Sequence, residues 1–246
     1  MIVAVHQPHY LPWLRYVDKI ARSDLFVLLD DAQFAKNGWQ NRNKIKTPQG
    51  WTYLTVPVED PFGKPIVEVR ICNREGWRKK HWNALRTSYG RAPYFRRYAD
   101  AFEAVYVREW GSLCDLNLHL LGVILEALGV RTRLVRSSEL GIPGRGTDRL
   151  VRICQALGAH GYLTGDYAAQ NHLDPELFRR AGIEVVGQNW RCPIYRQQFP
   201  RTGFIPDLSI VDLLFNEGSR ALHVLLHRPD QPSLLRAAWI TPAGRP

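Results

Sequence analysis

The sequence predicts an α/β protein with a mainly parallel sheet flanked by helices, and three observations carry that prediction. Strand-like and helix-like segments alternate along the chain, the pattern that builds parallel sheets covered by helices. Four short apolar runs each end on polar, chemically capable residues: Ile2 to Val5 before His6-Gln7-Pro8, Leu25 to Leu29 before Asp30-Asp31, Tyr162-Leu163 before Thr164-Gly165-Asp166, and Ile183 to Val186 before Gly187-Gln188-Asn189. At 246 residues the chain can bury one substantial core. The carboxyl ends of parallel strands open on a common edge, where ligands bind, so the four polar ends are expected to line one pocket.

The elements follow in order. Trp13 to Arg22 comes after a proline at the natural first-turn position and places Trp13, Leu14, Val17 and Ile20 at helical spacing, giving a strand–loop–helix–strand opening. Trp51 to Val58 and Ile66 to Ile71 alternate around the Asp60-Pro61-Phe62-Gly63 turn signal and predict a hairpin. Helices are expected over Trp77 to Tyr89 and Tyr94 to Arg108, split at Gly90-Arg91-Ala92-Pro93, and over Ser112 to Leu128, between a serine N-cap and Gly129. Thr132 to Val135 is a short strand. Gly141 to Gly146 leads into a helix ending at Leu157, its spacing matching no nucleotide motif, and further helices start at Asp174-Pro175 and Ile210. The expected organisation is a single α/β domain over 1–228 with a Rossmann-like, nucleotide-binding-type core. The hairpin 51–71 and helices 77–128 are inserted or appended, and 229–246 is a loosely ordered tail.

Composition narrows the class. Hydrophobic residues make up 45% and charged residues 23%, with no run of about 18 apolar residues, and the Met1 to Val5 start turns polar too soon for a secretory signal. A cytoplasmic protein without membrane association is expected. Cys72, Cys114, Cys154 and Cys192 are too far apart for zinc or redox motifs and are expected reduced and buried. Neither His6/His9 nor His223/His227 makes a convincing metal site. The net charge of +10 is concentrated between Arg70 and Arg97, where nine cations meet one acid, Glu75, among Trp77, Trp82, Tyr89, Tyr94, Phe95 and Tyr98. Such a segment either attracts polyanions or is a solvated helix face with its aromatics in the core.

Candidate chemistry follows from residue type. Two prolines fix the backbone of His6-Gln7-Pro8-His9-Tyr10-Leu11-Pro12-Trp13 and aim His6, which can exchange a proton near neutrality, and Gln7, which can orient a ligand, with Tyr10 beside them. Asp30 and Asp31 end a strand, and since neighbours on an extended chain point oppositely, one of the two is expected to face the pocket. Gln33, Trp39, Asn41, Arg42, Asn43 and Lys44 form a dense amide and cationic loop suited to a polar or phosphorylated ligand. Asp166 and Gln188 could hold hydroxyls or amines, and Tyr167 or Trp190 could stack on a sugar or base.

The same residues carry a family resemblance. His6-Gln7-Pro8 with Tyr10-Leu11-Pro12-Trp13, Ser23 to Asp31 with Gln33-Phe34, Gln40 to Lys46, Leu54 to Val58, and Leu208 to Asn216 with Gly218 resemble the WbqC-like family of bacterial proteins over about residues 1–218. The family occurs near O-antigen and secondary-metabolite genes, and the resemblance implies a glycyl-type or other aminoacyl transferase acting on an amino sugar or related metabolite amine. Arg15 departs from the glycine usual after Pro-Trp-Leu, which puts substrate identity in question. The opening unit also resembles the nucleotide-binding folds of cytidylyltransferases and class I synthetases, without their usual second-histidine spacing.

The expected reaction is attack of an acceptor amine on an activated acyl group. His6, Asp30 or Asp31 would serve as base, and Gln7, Asn41 and Asn43 as oxyanion donors. Arg42 and Lys44 would contact a donor phosphate, and Asp166 and Gln188 the acceptor. The partners would be a small-molecule amine and an aminoacyl donor on tRNA, a carrier protein or a CoA thioester, with the tRNA or carrier protein at 70–97; the oligomeric state is left open. One alternative is an ATP-dependent amide ligase or nucleotidyltransferase-like enzyme; another is a non-enzymatic nucleic-acid or anionic-carrier binding module.

Overall fold

A computed structural model describes residues 1–165 and 173–227; the expected tail over 229–246 lies outside them. In chain order the elements are β1 (Ile2–His6), α1 (Leu14–Ala21), β2 (Leu25–Leu28), β3 (Arg42–Thr47), β4 (Gly50–Thr55), β5 (Val58–Glu59) and β6 (Arg70–Ile71). Three long helices follow: α2 (Trp77–Tyr89), α3 (Phe95–Val107) and α4 (Leu113–Leu128). Then come β7 (Arg133–Arg136), α5 (Ser137–Leu140), α6 (Gly146–Ala156), β8 (Gly161–Thr164), a helix α7 (Pro175–Arg180), β9 (Glu184–Gly187), and the helices α8 (Ile210–Glu217) and α9 (Ala221–Leu226).

Strands β7-β2-β1-β8-β9 form one sheet in that order, every pair parallel. The chain builds outward from β1 through β2 to β7, then crosses back to lay β8 on the other side of β1. That reversal makes the gap between β1 and β8 the topological switch point, the position where doubly wound sheets bind ligands.

Side chains alternate between the two sheet faces, and the core divides accordingly. Ala4, Phe26, Leu28 and Leu163 pack with Leu14, Val17 and Ile20 of α1, Leu116, Leu120 and Ile124 of α4, and Leu213 and Phe215 of α8. Val3, Val5, Leu25, Val27 and Tyr162 pack with Val151, Ile153 and Cys154 of α6 and Phe178 of α7. Helices on both faces of an all-parallel sheet give the α/β, Rossmann-like architecture that the alternating pattern predicts.

Capping defines the helices as expected at three ends. Ser112 Oγ accepts the Asp115 amide at 3.2 Å and Gly129 closes α4 in the left-handed region, while Asp174 accepts the Glu176 amide at 3.0 Å before Pro175.

The hairpin differs from expectation. Its strands are β3 and β4, paired from Arg42↔Thr55 to Thr47↔Gly50, whereas the segment after Ile66 enters a 3-10 turn and contributes only the two-residue β6 opposite β5. The run Arg42 to Lys46 looks like a loop because cations and amides hide its alternation. Asn43 and Ile45 are buried between more exposed Arg42 and Lys44.

Among the described residues no helix is long and apolar enough to cross a membrane, and no group of three or more His, Cys, Asp or Glu is placed to hold a metal ion. The four cysteines are free; Cys114 and Cys154 are buried, whereas Cys72 and Cys192 are only half-buried.

Candidate functional site

The turn after β1 is built under constraint. Leu11 sits at φ +42°, a left-handed conformation unusual for a bulky side chain and of order 1–3 kcal/mol in strain. Its surroundings hold it there. Asn43 Nδ2 donates to Leu11 O at 2.7 Å, the Tyr10 amide donates to Trp39 O at 3.2 Å, and the Ile210 amide donates to Pro12 O at 2.8 Å. Ser209 bridges Trp13 and also donates its amide to Lys44 O at 2.9 Å, so turn, hairpin and α8 lock together.

This turn delivers two histidines to the switch point. His9 follows His6 by three residues, not at the spacing usual in nucleotide-binding folds, yet it is buried and the two ring centroids are 4.6 Å apart. Tyr16, one turn into α1, stacks on His9 at 4.8 Å and meets His6 edge-on at 5.1 Å. Lys19 lies one further turn along, buried. A methyl group on Gly165, just past β8, would sit 3.8 Å from Lys19 Nζ and 3.7 Å from Gln188 Oε1, which places both side chains over the β8 end. Gln188 Nε2 donates to Arg15 O at 2.7 Å and Asp18 Oδ2 at 2.8 Å, clamping α1 against β9.

Electrostatics fix the protonation of this cluster. Burial drives His6 well below its ordinary 6.5, helped by His9, Lys19 and Arg15 and opposed by the Gln7 carbonyl; burial and then Lys19 push His9 down to about 3. Both imidazoles are therefore neutral at pH 7, each offering one N–H donor. Among the described residues His9 Nδ1, Tyr16 Oη and Arg15 Nε are buried without a hydrogen-bond partner. Orphaned polar atoms cost stability, and three gathered on one turn and helix suit an anionic ligand.

The paired aspartates have a different environment from the one expected. The chain leaves the extended conformation after Leu28, so Asp30 and Asp31 both reach one network instead of facing apart. Ser137 Oγ donates to Asp30 Oδ1 at 3.1 Å and to Asp31 Oδ1 at 2.6 Å. Asp30, fully buried, also accepts from Arg136 Nε at 2.7 Å, the Ser138 amide at 3.0 Å and Ser138 Oγ at 2.8 Å; Asp31 pairs with Arg149. Burial alone would raise the Asp30 carboxyl, but the Ser138 amide, Arg136 and the Ser138 hydroxyl outweigh it and hold it below its ordinary value. Asp30 thus ties β2 to β7 and has no acceptor capacity to spare for a substrate proton.

The other candidates divide between scaffold and surface. Tyr10 is core: its hydroxyl meets His81 Nδ1 at 2.8 Å and Tyr106 Oη at 2.7 Å. Asn41 Nδ2 donates to Val56 O at 2.9 Å and Asn43 braces Leu11, so neither amide nitrogen is positioned as an oxyanion donor. Gln7 Oε1 accepts from Gln40 at 2.6 Å beside His6, and Gln33 is an exposed residue bridging Pro65. Arg42 and Lys44 lie on the hairpin over Tyr53 and Trp51. Trp190 is tethered to Asp207 at 2.8 Å. Asp166 and Tyr167 lie outside the described residues. Of the basic region, Trp77, Trp82, Tyr89, Phe95 and Tyr98 are buried, and Arg97 lies 5.8 Å over the Tyr98 ring, so these rings serve mainly the core of α2 and α3.

The model of the WbqC-like protein family matches residues 7–224, from the turn to α9. This chain belongs to that family. The uncharacterized protein Rv1507c of Mycobacterium tuberculosis is 38% identical over 223 residues, spanning 89% of this chain and 95% of that protein. No solved structure matches. The family's sequence words now have a physical reading: Leu208 to Asn216, Gln40 to Lys46 and the Tyr10 to Trp13 turn meet to set the path on which His6 and His9 are carried.

Sequence reasoning missed Tyr16 and Lys19. Their i, i+3 spacing places both on one side of α1, but Leu14, Val17 and Ile20 dominate the periodicity and a lone lysine reads as solvated. Arg136 and Arg149 were also invisible, being contributed by segments more than a hundred residues beyond the aspartates they pair with.

Proposed function

We propose that this chain is an amide-forming acyltransferase of the aminoacyl type whose donor is a phosphate-bearing mixed anhydride, formed from or carried by a nucleotide at the β1–β8 switch point. The observation that carries this reading is the convergence of neutral His6 and His9 with Lys19 where the strand order reverses. Neutral imidazole N–H groups and a buried ammonium are suited to a phosphate on which charge builds as it leaves. In the activating step a carboxylate oxygen attacks the α-phosphorus, the α–β phosphoanhydride bond breaks and pyrophosphate departs. In the transfer step the acceptor amine attacks the acyl carbonyl, the C–N bond forms, the carbonyl–phosphate bond breaks, and the nucleoside monophosphate leaves with its electron pair while the amine proton passes to water. A phosphate leaving group needs no proton, which suits a site whose histidines carry none to give.

Asp30 is not assigned as the base. Burial leaves His6 with low basicity, so it orients the amine more than it drives proton removal.

Transfer from aminoacyl-tRNA is the second reading, favoured by the aromatic and cationic hairpin face beside the turn. Pyrophosphate–nucleotide exchange separates the two. Under the leading reading a nucleoside triphosphate raises the melting temperature, a cognate acid supports exchange, and Lys19→Met and His9→Asn abolish both at unchanged far-UV circular dichroism. A wild-type protein that binds no nucleoside triphosphate or monophosphate would refute it.

A further inference from the structure

The hairpin carries a surface that the switch-point chemistry does not use. From His9 a chain of aromatic rings runs outward: Trp13 lies 6.2 Å from His9, Trp39 4.3 Å from Trp13, Tyr53 6.2 Å from Trp39, and Trp51 5.1 Å from Tyr53. Trp51 and Tyr53 are 48% and 38% exposed, side by side on the hairpin, so their rings can be reached by a ligand. Three of the rings carry a cation. Arg15 lies 4.1 Å over Trp13, Arg42 4.6 Å over Tyr53, and Lys44 5.3 Å over Trp51.

The local charge is one-sided. From Ala32 to Val58 the chain has Lys36, Arg42, Lys44 and Lys46 and no acidic residue. Arg42 is held by Asn37, its Nη2 donating to Asn37 O at 2.6 Å, and Arg15 pairs with Asp207 at 3.7 Å, so both guanidinium groups are fixed beside their rings. The hairpin is rigid: its inner residues Asn43, Ile45 and Leu54 are buried and six residue pairs hold its register.

We propose that this ring-and-cation stripe binds a single-stranded nucleic acid, about four nucleotides long, with bases stacked on Trp51, Tyr53, Trp39 and Trp13, phosphates on Lys44, Arg42 and Arg15, and one end directed at the His9 turn. Rings alone would equally suit a neutral oligosaccharide. A cation on three of the four rings, with no acid in the segment, is what a polyanion with stackable bases requires. The inference does not rest on the nucleotide reading of the switch point.

The test is titration of the full chain with a single-stranded RNA octamer, followed by tryptophan quenching and by anisotropy of a labelled copy, with heparin, a maltooligosaccharide and the matching duplex as comparison ligands. Quenching is expected with the octamer, together with weaker binding of the duplex. Trp51→Ala and Tyr53→Ala should each weaken the octamer about tenfold, and Arg42→Ala should flatten the salt dependence by roughly one counterion. Since Trp51 and Tyr53 are exposed, both variants should keep the wild-type melting temperature. Arg86→Ala with Arg97→Ala, on the helical basic face, should leave octamer binding unchanged, as should Lys19→Met, which separates this site from the switch point. Heparin binding as tightly as the octamer, tighter binding of the oligosaccharide, or loss of octamer binding only in the Arg86/Arg97 variant would each overturn the proposal.

Discussion

Replacing Asp212 by asparagine should change the pH dependence of stability in a direction set by its surroundings. Asp212 lies on α8, fully buried; Tyr195 Oη donates to its Oδ2 at 2.7 Å, while Oδ1 has no partner among the described residues. Nearby, Lys46 Nζ is engaged with Gln197 at 2.9 Å. Burial raises the carboxyl from 3.8 to about 6, against the opposing pull of Tyr195, Tyr89, Lys46 and Gln197. Because the folded state holds this proton more tightly than the unfolded chain, the associated stability is fully present below the unfolded value and is lost as pH rises through about 6. A shift of roughly two units corresponds to about 3 kcal/mol. Urea denaturation of wild type and Asp212→Asn at half-unit steps from pH 4 to pH 8 should therefore show the variant gaining about 2.5 kcal/mol relative to wild type across that interval, the unfolded carboxyl being already partly ionised at pH 4. His9 and His81, held down to about 3 and about 4 chiefly by burial, act with the opposite sign, but they are common to both proteins and drop out of the difference. A difference constant to within about 0.5 kcal/mol over the range would refute the reasoning.

Other perturbations have equally definite outcomes. Asp30→Ala strands half-exposed Arg136 and the Ser137 and Ser138 donors and should cost about 3 kcal/mol by urea denaturation at pH 7. Since the Asp30 carboxyl is held low, that contribution should persist above the unfolded carboxylate value of about 4 and disappear as pH falls further. Gly218→Ala should abolish soluble expression or lower the melting temperature sharply, because φ is +56° and a Cβ would meet the Tyr94 ring at 2.3 Å. Tyr10→Phe should cost about 1–3 kcal/mol, measured by denaturation, by removing the hydroxyl shared between His81 and Tyr106.

The sheet was legible because its strands are short apolar runs ended by polar residues, and its helices because Ser112, Gly129, Asp174 and Pro175 mark their limits. The position of His6 followed from the same pattern. Its environment did not: whether a histidine is neutral depends on burial and on Lys19, which tertiary packing alone brings close. Asp30 shows the reverse case, a residue rightly placed at a strand end whose role was misjudged because Arg136 and Ser138 arrive from the far side of three helices. Tyr10 and Asn43 belong to the strongest sequence words, yet they hold a strained turn in shape, and Asn41 ties the hairpin to Val56. A dense local motif can record the cost of a backbone path as readily as contact with a ligand.

The order in which the sheet is assembled bears on how this protein reaches its native state. β1 emerges first, but its second neighbour begins only at Gly161, after two-thirds of the chain has been made. Until then β1 can pair with β2 alone, and its other edge presents open backbone donors and acceptors that another copy could match. Chains halted before β8 should therefore self-associate along β1, and only completion of the final third converts that sticky margin into the interior of the sheet.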